Sequence, residues 1–329
     1  MKKFIALSMS LVLALVLTGA ASAATQLKFS SASPITSTWQ LGAEKFAQLV
    51  EKGTKGKYKI TVFPSDQLSG GNQVSGIELV QTGNTDIHLQ DALVWSAVAK
   101  KAIVPCFPWL LPSYKEVDKY MKGAGGEALK KVLDQSGVVC LAIGENGYRQ
   151  VVNNKRPIEK PADMKALKMR VPGSKVHVQL LKYLGADPLT MSQSEVYTSL
   201  QQGTIDACEN TLDLLITQNT LEVTKYLTFW NYSYDPIFLS VSKELWAKLS
   251  PAEKKIFQKA ADDAMAYQIK ATRDKEKVQH GQLGKYKIKV VKSLTPANLA
   301  AFKKGVAKIY TDYKNEFGAD LFAKFGYKF

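Results

Sequence analysis

Only three cysteines and three histidines occur in 329 residues, and that scarcity removes several protein classes at once. A disulfide-stapled scaffold needs far more cysteine. Cys106, Cys140 and Cys208 form an odd set; a Cys106–Cys140 bridge is permitted, but spacing does not require it. Cys140 lies in Val138-Val139-Cys140-Leu141-Ala142-Ile143, a run that reads as a buried strand in which a thiol behaves as a small apolar group. His88, His177 and His280 show no ligand spacing with the cysteines or with each other, so no metal site is expected. Also missing are a Gly-x-Ser-x-Gly elbow, a His-Glu-x-x-His helix and a Walker phosphate loop. Gly123-Ala124-Gly125-Gly126-Glu127-Ala128 matches a dinucleotide fingerprint only in degenerate form and sits in a helical, lysine-flanked stretch, so it reads as a loop-to-helix turn. No cofactor is expected.

Acidic residues are few beside basic ones, 29 against 44, for a net charge of +15. Such a balance favours anionic partners through long-range steering. Nucleic acid is one candidate, yet the lysines are dispersed along helices, as with Lys254, Lys255, Lys259, Lys270, Lys275 and Lys277. No aromatic-interleaved basic motif accompanies them. A solvated basic surface is the reading adopted, with no nucleic-acid partner.

Long apolar runs are equally scarce. Phe4 to Leu17 follows Lys2 and Lys3 and precedes Ala21-Ser22-Ala23, the three parts of a secretory signal peptide spanning residues 1–23. The run is shorter than the roughly 20 residues of a spanning helix, and no cysteine follows it to carry a lipid. A soluble protein of the bacterial periplasm is expected, beginning at Ala24 and carrying +13 once Lys2 and Lys3 are removed.

What is present points to an α/β protein of two lobes, because the length exceeds what one hydrophobic core usually serves and strand and helix patterns alternate. Strands are expected over Leu27–Ser31 and Tyr58–Phe63, with helices from about Thr38 to Lys52 and Gly70 to Thr82. Val80-Gln81-Thr82-Gly83-Asn84-Thr85-Asp86 is echoed by Leu200-Gln201-Gln202-Gly203-Thr204-Ile205-Asp206, each a helix end, a glycine C-cap and a strand start. The echo sets Gln90 in one copy where Asn210 stands in the other. Ligands of open α/β sheets bind beyond the carboxyl ends of strands, so these amides would face a cleft between the lobes.

Ser250-Pro251-Ala252-Glu253 is a capping box with proline at the first helical position. Ile256, Ala260, Ala264, Tyr267 and Ala271 then recur at helical period as far as about His280, and a helix of roughly 45 Å would run along both lobes. Ser192-Gln193-Ser194-Glu195 and Thr295-Pro296 open two further helices. Crossings between lobes are expected near Gly144–Tyr148, near Tyr234–Pro236 and within the long helix. Lobe I would comprise residues 24–147 with 236–272, and lobe II residues 148–235 with 273–329.

Three residues carry the functional signal: Arg149 in Gly147-Tyr148-Arg149, Arg170 in Lys168-Met169-Arg170-Val171-Pro172, and Asn210 in Gly203-Thr204-Ile205-Asp206-Ala207-Cys208-Glu209-Asn210. Each stands where an expected strand gives way to a loop, and two permanent cations with an amide suit a carboxylate. Bland readings stand beside each: a surface ion pair of Arg170 with Asp163 or Glu195, a hinge-side pair for Arg149, a helix cap for Asn210. Glu209 would bind a ligand hydroxyl or amine, or pair with an arginine. Trp39, Trp95, Tyr232 and Tyr234 cluster at expected strand ends and suggest a pocket able to stack a ring or a sugar.

The wording around these residues, together with Gly83-Asn84-Thr85-Asp86-Ile87 and Tyr232-Ser233-Tyr234-Asp235-Pro236, resembles the substrate-binding subunit of tripartite ATP-independent periplasmic (TRAP) transporters, the DctP-like family. The resemblance implies a two-lobed periplasmic binding protein fold with a long helix spanning both lobes and a central ligand cleft. It implies a salt bridge from Arg170 to the ligand carboxylate, assisted by Arg149 and Asn210; from their places in the first lobe, Gln90 and Trp39 are expected to read the rest of the molecule. The implied partners are a small-molecule carboxylate and a small and a large integral membrane subunit. The solute receptor of an ATP-driven importer and a periplasmic enzyme acting on organic acids are the alternatives.

Overall fold

The computed structural model describes residues 23–329; the expected signal peptide, apart from Ala23, lies outside the described residues. Among the described residues no helix is long and apolar enough to cross a membrane, and no group of three or more metal-ligating side chains is assembled.

Two βα assemblies of the same order make the frame. The first runs β1 (Thr25–Ser31), α1 (Thr38–Gly53), β2 (Tyr58–Phe63), α2 (Gln73–Gln81) and β3 (Ile87–Asp91), with β1 parallel to both β2 and β3. Ser37 and Asn72 cap α1 and α2 by accepting from the Gln40 and Ser75 N–H groups. A short α3 (Ala92–Trp95), then α4 (Tyr114–Met121) and α5 (Ala124–Asp134) lead into the long strand β4 (Val138–Asn153). The glycine cluster at the start of α5 is needed for packing: a Cβ at Gly126 would stand 1.9 Å from the Met121 carbonyl oxygen. The second assembly runs β5 (Lys168–Val171), α6 (Lys175–Tyr183), β6 (Asp187–Thr190), α7 (Val196–Gln202) and β7 (Ala207–Thr211), with β5 parallel to β6 and β7.

The remaining elements join these halves: α8 (Leu212–Thr217), β8 (Tyr226–Thr228), β9 (Tyr234–Ser242), α9 (Lys243–Lys248), α10 (Pro251–Gln282), β10 (Lys289–Val291), α11 (Pro296–Val306), α12 (Lys308–Phe317) and α13 (Ala319–Ala323). β4 serves both sheets. Its first part pairs antiparallel with β9 up to Tyr148↔Tyr234, and from Arg149 onward it pairs with β7 and β8. The change of partner coincides with a register break between Glu145 and Gly147 and with Gly147 at φ +112°, a conformation only glycine adopts without strain.

The sequence echo extends to atomic detail. Gly83 and Gly203 take φ +76° and +75°. Asp86 Oδ2 accepts from the Lys28 N–H at 2.7 Å and Asp206 Oδ2 from the Lys168 N–H at 3.1 Å. Gln90 Oε1 accepts from the Asp91 N–H and Asn210 Oδ1 from the Thr211 N–H, both at 2.9 Å. Through the registers Ser30↔His88 and Arg170↔Cys208, Ser30 of β1 is the counterpart of Arg170 of β5.

Helix α10 braces both halves. Near its start Phe257 meets Phe46 and Tyr58 edge-on at 6.0 and 5.5 Å; near its end Gln279 Nε2 donates to Asp213 Oδ1 of α8 at 2.9 Å. The buried stripe differs from the expected one. Ala260 and Ala264 are buried but Tyr267 is 46% exposed, because the later part of the helix buries polar Gln268, Thr272 and Gln279 against β4, α1 and α8. Gln268 accepts from the Glu145 N–H at 2.9 Å and donates to the Glu145 carbonyl at 2.8 Å, which satisfies backbone groups freed by the register break.

The cysteines are all free and buried, so the permitted Cys106–Cys140 bridge is not formed; burial pushes the Cys140 thiol up to about 12. A core of Phe29, Phe46, Leu89, Leu239 and Phe257 fills the space between the first sheet, α1 and α10. Phe107 packs edge-on against Phe317 and Phe322 at 6.0 and 4.9 Å. The C-terminal helices thus anchor on a residue from the amino-terminal half.

Candidate functional site

The carboxyl ends of parallel strands β1, β3, β5 and β7 converge on one cleft. Its inner chamber is lined by Ala32, Ser33, Trp39, Gln73, Asp91, Arg149, Arg170, Pro172, Gln193, Asn210, Leu214 and Gln218. An outer vestibule shares Ala32, Gln73, Gln193 and Gln218 with it and continues to Ser65, Asp66 and Tyr197. The halves meet across this cleft: Ser192 Oγ donates to the Gly71 carbonyl at 2.7 Å, Arg170 Nη2 to Gln73 Oε1 at 3.3 Å, and the Thr38 N–H to Asp213 Oδ2 at 2.9 Å.

Arg170 is 2% exposed and has no carboxylate partner among the described residues, Asp163 and Glu195 included. Its Nε donates to the Met191 carbonyl at 3.0 Å and its Nη1 to Gln193 Oε1 at 2.8 Å. Neutral oxygens orient the fork without cancelling its charge. Burial pushes its pKa down to about 10, which still leaves it protonated at neutral pH. A buried cation without a counter-charge carries a desolvation cost that falls when an anion arrives.

Arg149 is differently placed. Its Nε donates to Glu209 Oε2, its Nη2 to Glu209 Oε1 at 3.0 Å and to the Glu209 carbonyl at 2.9 Å, and its Nη1 to Asp235 Oδ2 at 2.5 Å. Burial opposes its charge, but Glu209 and Asp235 override that and hold its pKa well above the usual value. The same fork keeps Glu209 below the usual carboxylate range despite burial. Asp235 moves the other way, pushed up to about 8 by burial and by the nearby Asp91 charge. Arg149 thus lines the chamber with most of its donors already taken, and Glu209 is spent as its clamp.

Asn210 lines the chamber as expected from its position; its Oδ1 is used by the Thr211 N–H while its Nδ2 reaches Gln193 Oε1 at 3.4 Å. Trp39 forms a wall, held by its Nε1 donating to Asn146 Oδ1 at 3.1 Å. Gln90 is wholly buried and is not among the lining residues; the strand alternation turns it away and brings Asp91 to the chamber instead. Nor do Tyr232, Tyr234 and Trp95 reach it. Tyr232 packs at a tilt against Trp230 with ring centroids 4.4 Å apart, Tyr234 donates to Glu145 Oε2 at 3.3 Å, and Trp95 is core. These three aromatic rings are packing, and Trp39 alone of the proposed set meets the cavity.

Sequence reasoning missed Asp91, Gln73, Gln193 and Gln218. Gln193 lay in a capping box already noticed, and Asp91 is one residue past the echoed amide. Gln73 opens α2 just as a helix N-terminus should face the cleft. Gln218 had no signal.

A profile of bacterial extracellular solute-binding protein, family 7 (DctP) matches residues 29–316. The chain is 31% identical over 260 residues, 79% of each chain, to the 2,3-diketo-L-gulonate-binding periplasmic protein YiaO of Escherichia coli K12. A TRAP periplasmic solute-binding protein of Polaromonas sp. JS666, solved with D-erythronate, superposes with a TM-score of 0.87 at 35% identity, over 92% of this chain and 98% of the other. One from Sulfurospirillum deleyianum with bound succinate gives 0.86 at 27% identity, over the same shares.

Proposed function

The chain belongs to bacterial extracellular solute-binding protein family 7, and from that premise we propose that it captures an organic acid through Arg170 in the cleft and delivers it to a TRAP-type membrane permease. The observation that carries this reading is the Arg170 guanidinium, buried at the inner chamber with only neutral acceptors around it. The names of its relatives support a carboxylate: D-erythronate and succinate occupy the two related structures, and YiaO is named for a keto acid.

In this reading the ligand carboxylate takes two parallel bonds from the Arg170 fork, and Asn210 Nδ2 adds a third donor from the adjacent strand. Arg149, clamped by Glu209 and Asp235, holds strands β4, β7 and β9 together beneath the site. Lobe I comprises residues 24–147 with 236–272 and lobe II residues 148–235 with 273–329, moving on the β4 and β9 crossings and α10. A ligand favours closure only by contacts made in the closed state; Gln73 from one half and Arg170 from the other supply them. The closed form docks on a small and a large integral subunit. The protein acts in the periplasm after removal of residues 1–23, and it binds rather than turns over its ligand.

Titration calorimetry on Arg170→Lys tests the assignment. A point charge replaces a planar fork, so affinity should fall by roughly ten- to a hundredfold, about 1.4–3 kcal/mol. Unchanged affinity would show that the carboxylate sits elsewhere.

A further inference from the structure

The fold accommodates more than one kind of acid, since relatives of similar overlap hold a trihydroxy monocarboxylate and a dicarboxylate. The charges and hydrogen-bond partners within this chamber choose between them. Three carboxylates, Asp91, Glu209 and Asp235, are buried around it, against two guanidinium groups. Glu209 and Asp235 are both drawn onto Arg149. One ligand carboxylate therefore has one unclaimed cation, Arg170, and a second would find no cation of its own.

Hydrogen bonding points the same way. Asp91 lines the chamber with its Oδ1 accepting from the Val94 N–H at 2.9 Å, while its Oδ2 has no donor among the described residues. Gln218 lines both chamber and vestibule, and its buried Oε1 likewise has no partner. These are acceptors awaiting donors. At neutral pH a dicarboxylate is an acceptor only and leaves both unmet, whereas a hydroxyl donates.

Resting on the carboxylate reading given above, we propose that the ligand is a polyhydroxy monocarboxylate, its acid group on Arg170 and its hydroxyls on Asp91 and Gln218, and that Asp91 is the residue that excludes dicarboxylates. Calorimetry on the mature chain with pairs matched in carbon count separates the two claims: D-erythronate with succinate, D-gluconate with adipate, and butanoate and hexanoate as hydroxyl-free controls. In at least one length the hydroxy acid should bind a hundredfold or more tighter than both its dicarboxylate and its hydroxyl-free partner. Asp91→Asn keeps an acceptor oxygen for the α3 cap, so the fold should persist by circular dichroism. It should narrow the preference over the dicarboxylate at least tenfold. A dicarboxylate that matches or beats its hydroxy acid, with binding still lost in Arg170→Met, overturns the specificity claim and leaves the receptor reading standing. A hydroxyl-free acid that binds as well as its hydroxy partner overturns it too, as does an unchanged preference in a folded Asp91→Asn. Binding of none of the six acids, or binding indifferent to Arg170→Met, removes the carboxylate reading and this inference with it.

Discussion

Two arginines, each 2% exposed, line one cleft, Arg149 from within β4 and Arg170 from the end of β5, and their surroundings differ. Around Arg149 the protein supplies two carboxylates and a carbonyl, so the cation is satisfied before any ligand arrives. Around Arg170 it supplies three neutral oxygens and a cavity. The difference teaches how a buried cation can be held in two ways, by a counter-charge built into the fold or by neutral acceptors alone, and the proposed ligand role of Arg170 rests on the second.

The largest test of that contrast is Arg149→Met. It strands Glu209 and Asp235 without their partner and should cost about 3–5 kcal/mol of unfolding free energy, the usual penalty for breaking a buried pair from one side. Chemical denaturation would read it, and a loss below 1 kcal/mol would mean the cluster holds nothing together. Arg170→Met should reverse the pattern. Stability without ligand should hold or rise, because an uncompensated buried charge is removed, while affinity for the acid drops at least a hundredfold, about 2.7 kcal/mol. Equal destabilisation in both variants would erase the distinction.

A smaller effect reports on the Arg149 cluster from behind. His177 is buried against the Tyr232 ring at 5.8 Å, and burial pushes it down to about 4, with Arg149 pushing the same way and Glu209 opposing. A base whose folded pKa lies below its unfolded value binds its proton more readily when unfolded. Its contribution is therefore complete above about pH 6.5 and is lost as pH falls toward 4. Relative to His177→Gln, the natural chain should lose about 2–3 kcal/mol across that interval; parallel pH–stability curves for the two proteins would refute it.

Much of the frame was readable in the chain because its signals are local. The Ser250 capping box opens α10, Gly83 and Gly203 end α2 and α7 with positive φ, and the echoed segments form matching strand ends. Site residues were legible in part, for a related reason. Arg170 and Asn210 stand near strand ends and Trp39 at a helix start, as expected, whereas Arg149, expected where a strand gives way to a loop, lies inside the continuous β4; all four line the chamber. Gln90 failed because strand alternation is decided to the single residue, and one step delivers Asp91 instead. Tyr232 and Tyr234 failed because whether an aromatic ring faces a cavity or a core depends on neighbours such as Trp230 and Glu145, which no local pattern announces.

The amino-acid order by itself determined where most helices and strands begin, and that Arg170 stands near a strand end, since caps, glycines and periodicity act over a few residues. Only the tertiary structure decided what each arginine is for. The carboxylates that claim Arg149 come from 60 and 86 residues away, and the emptiness that leaves Arg170 free is a property of how two halves close on each other. Electrostatic pairing in a buried site depends on distance in space, and the chain sets that distance only once it has folded.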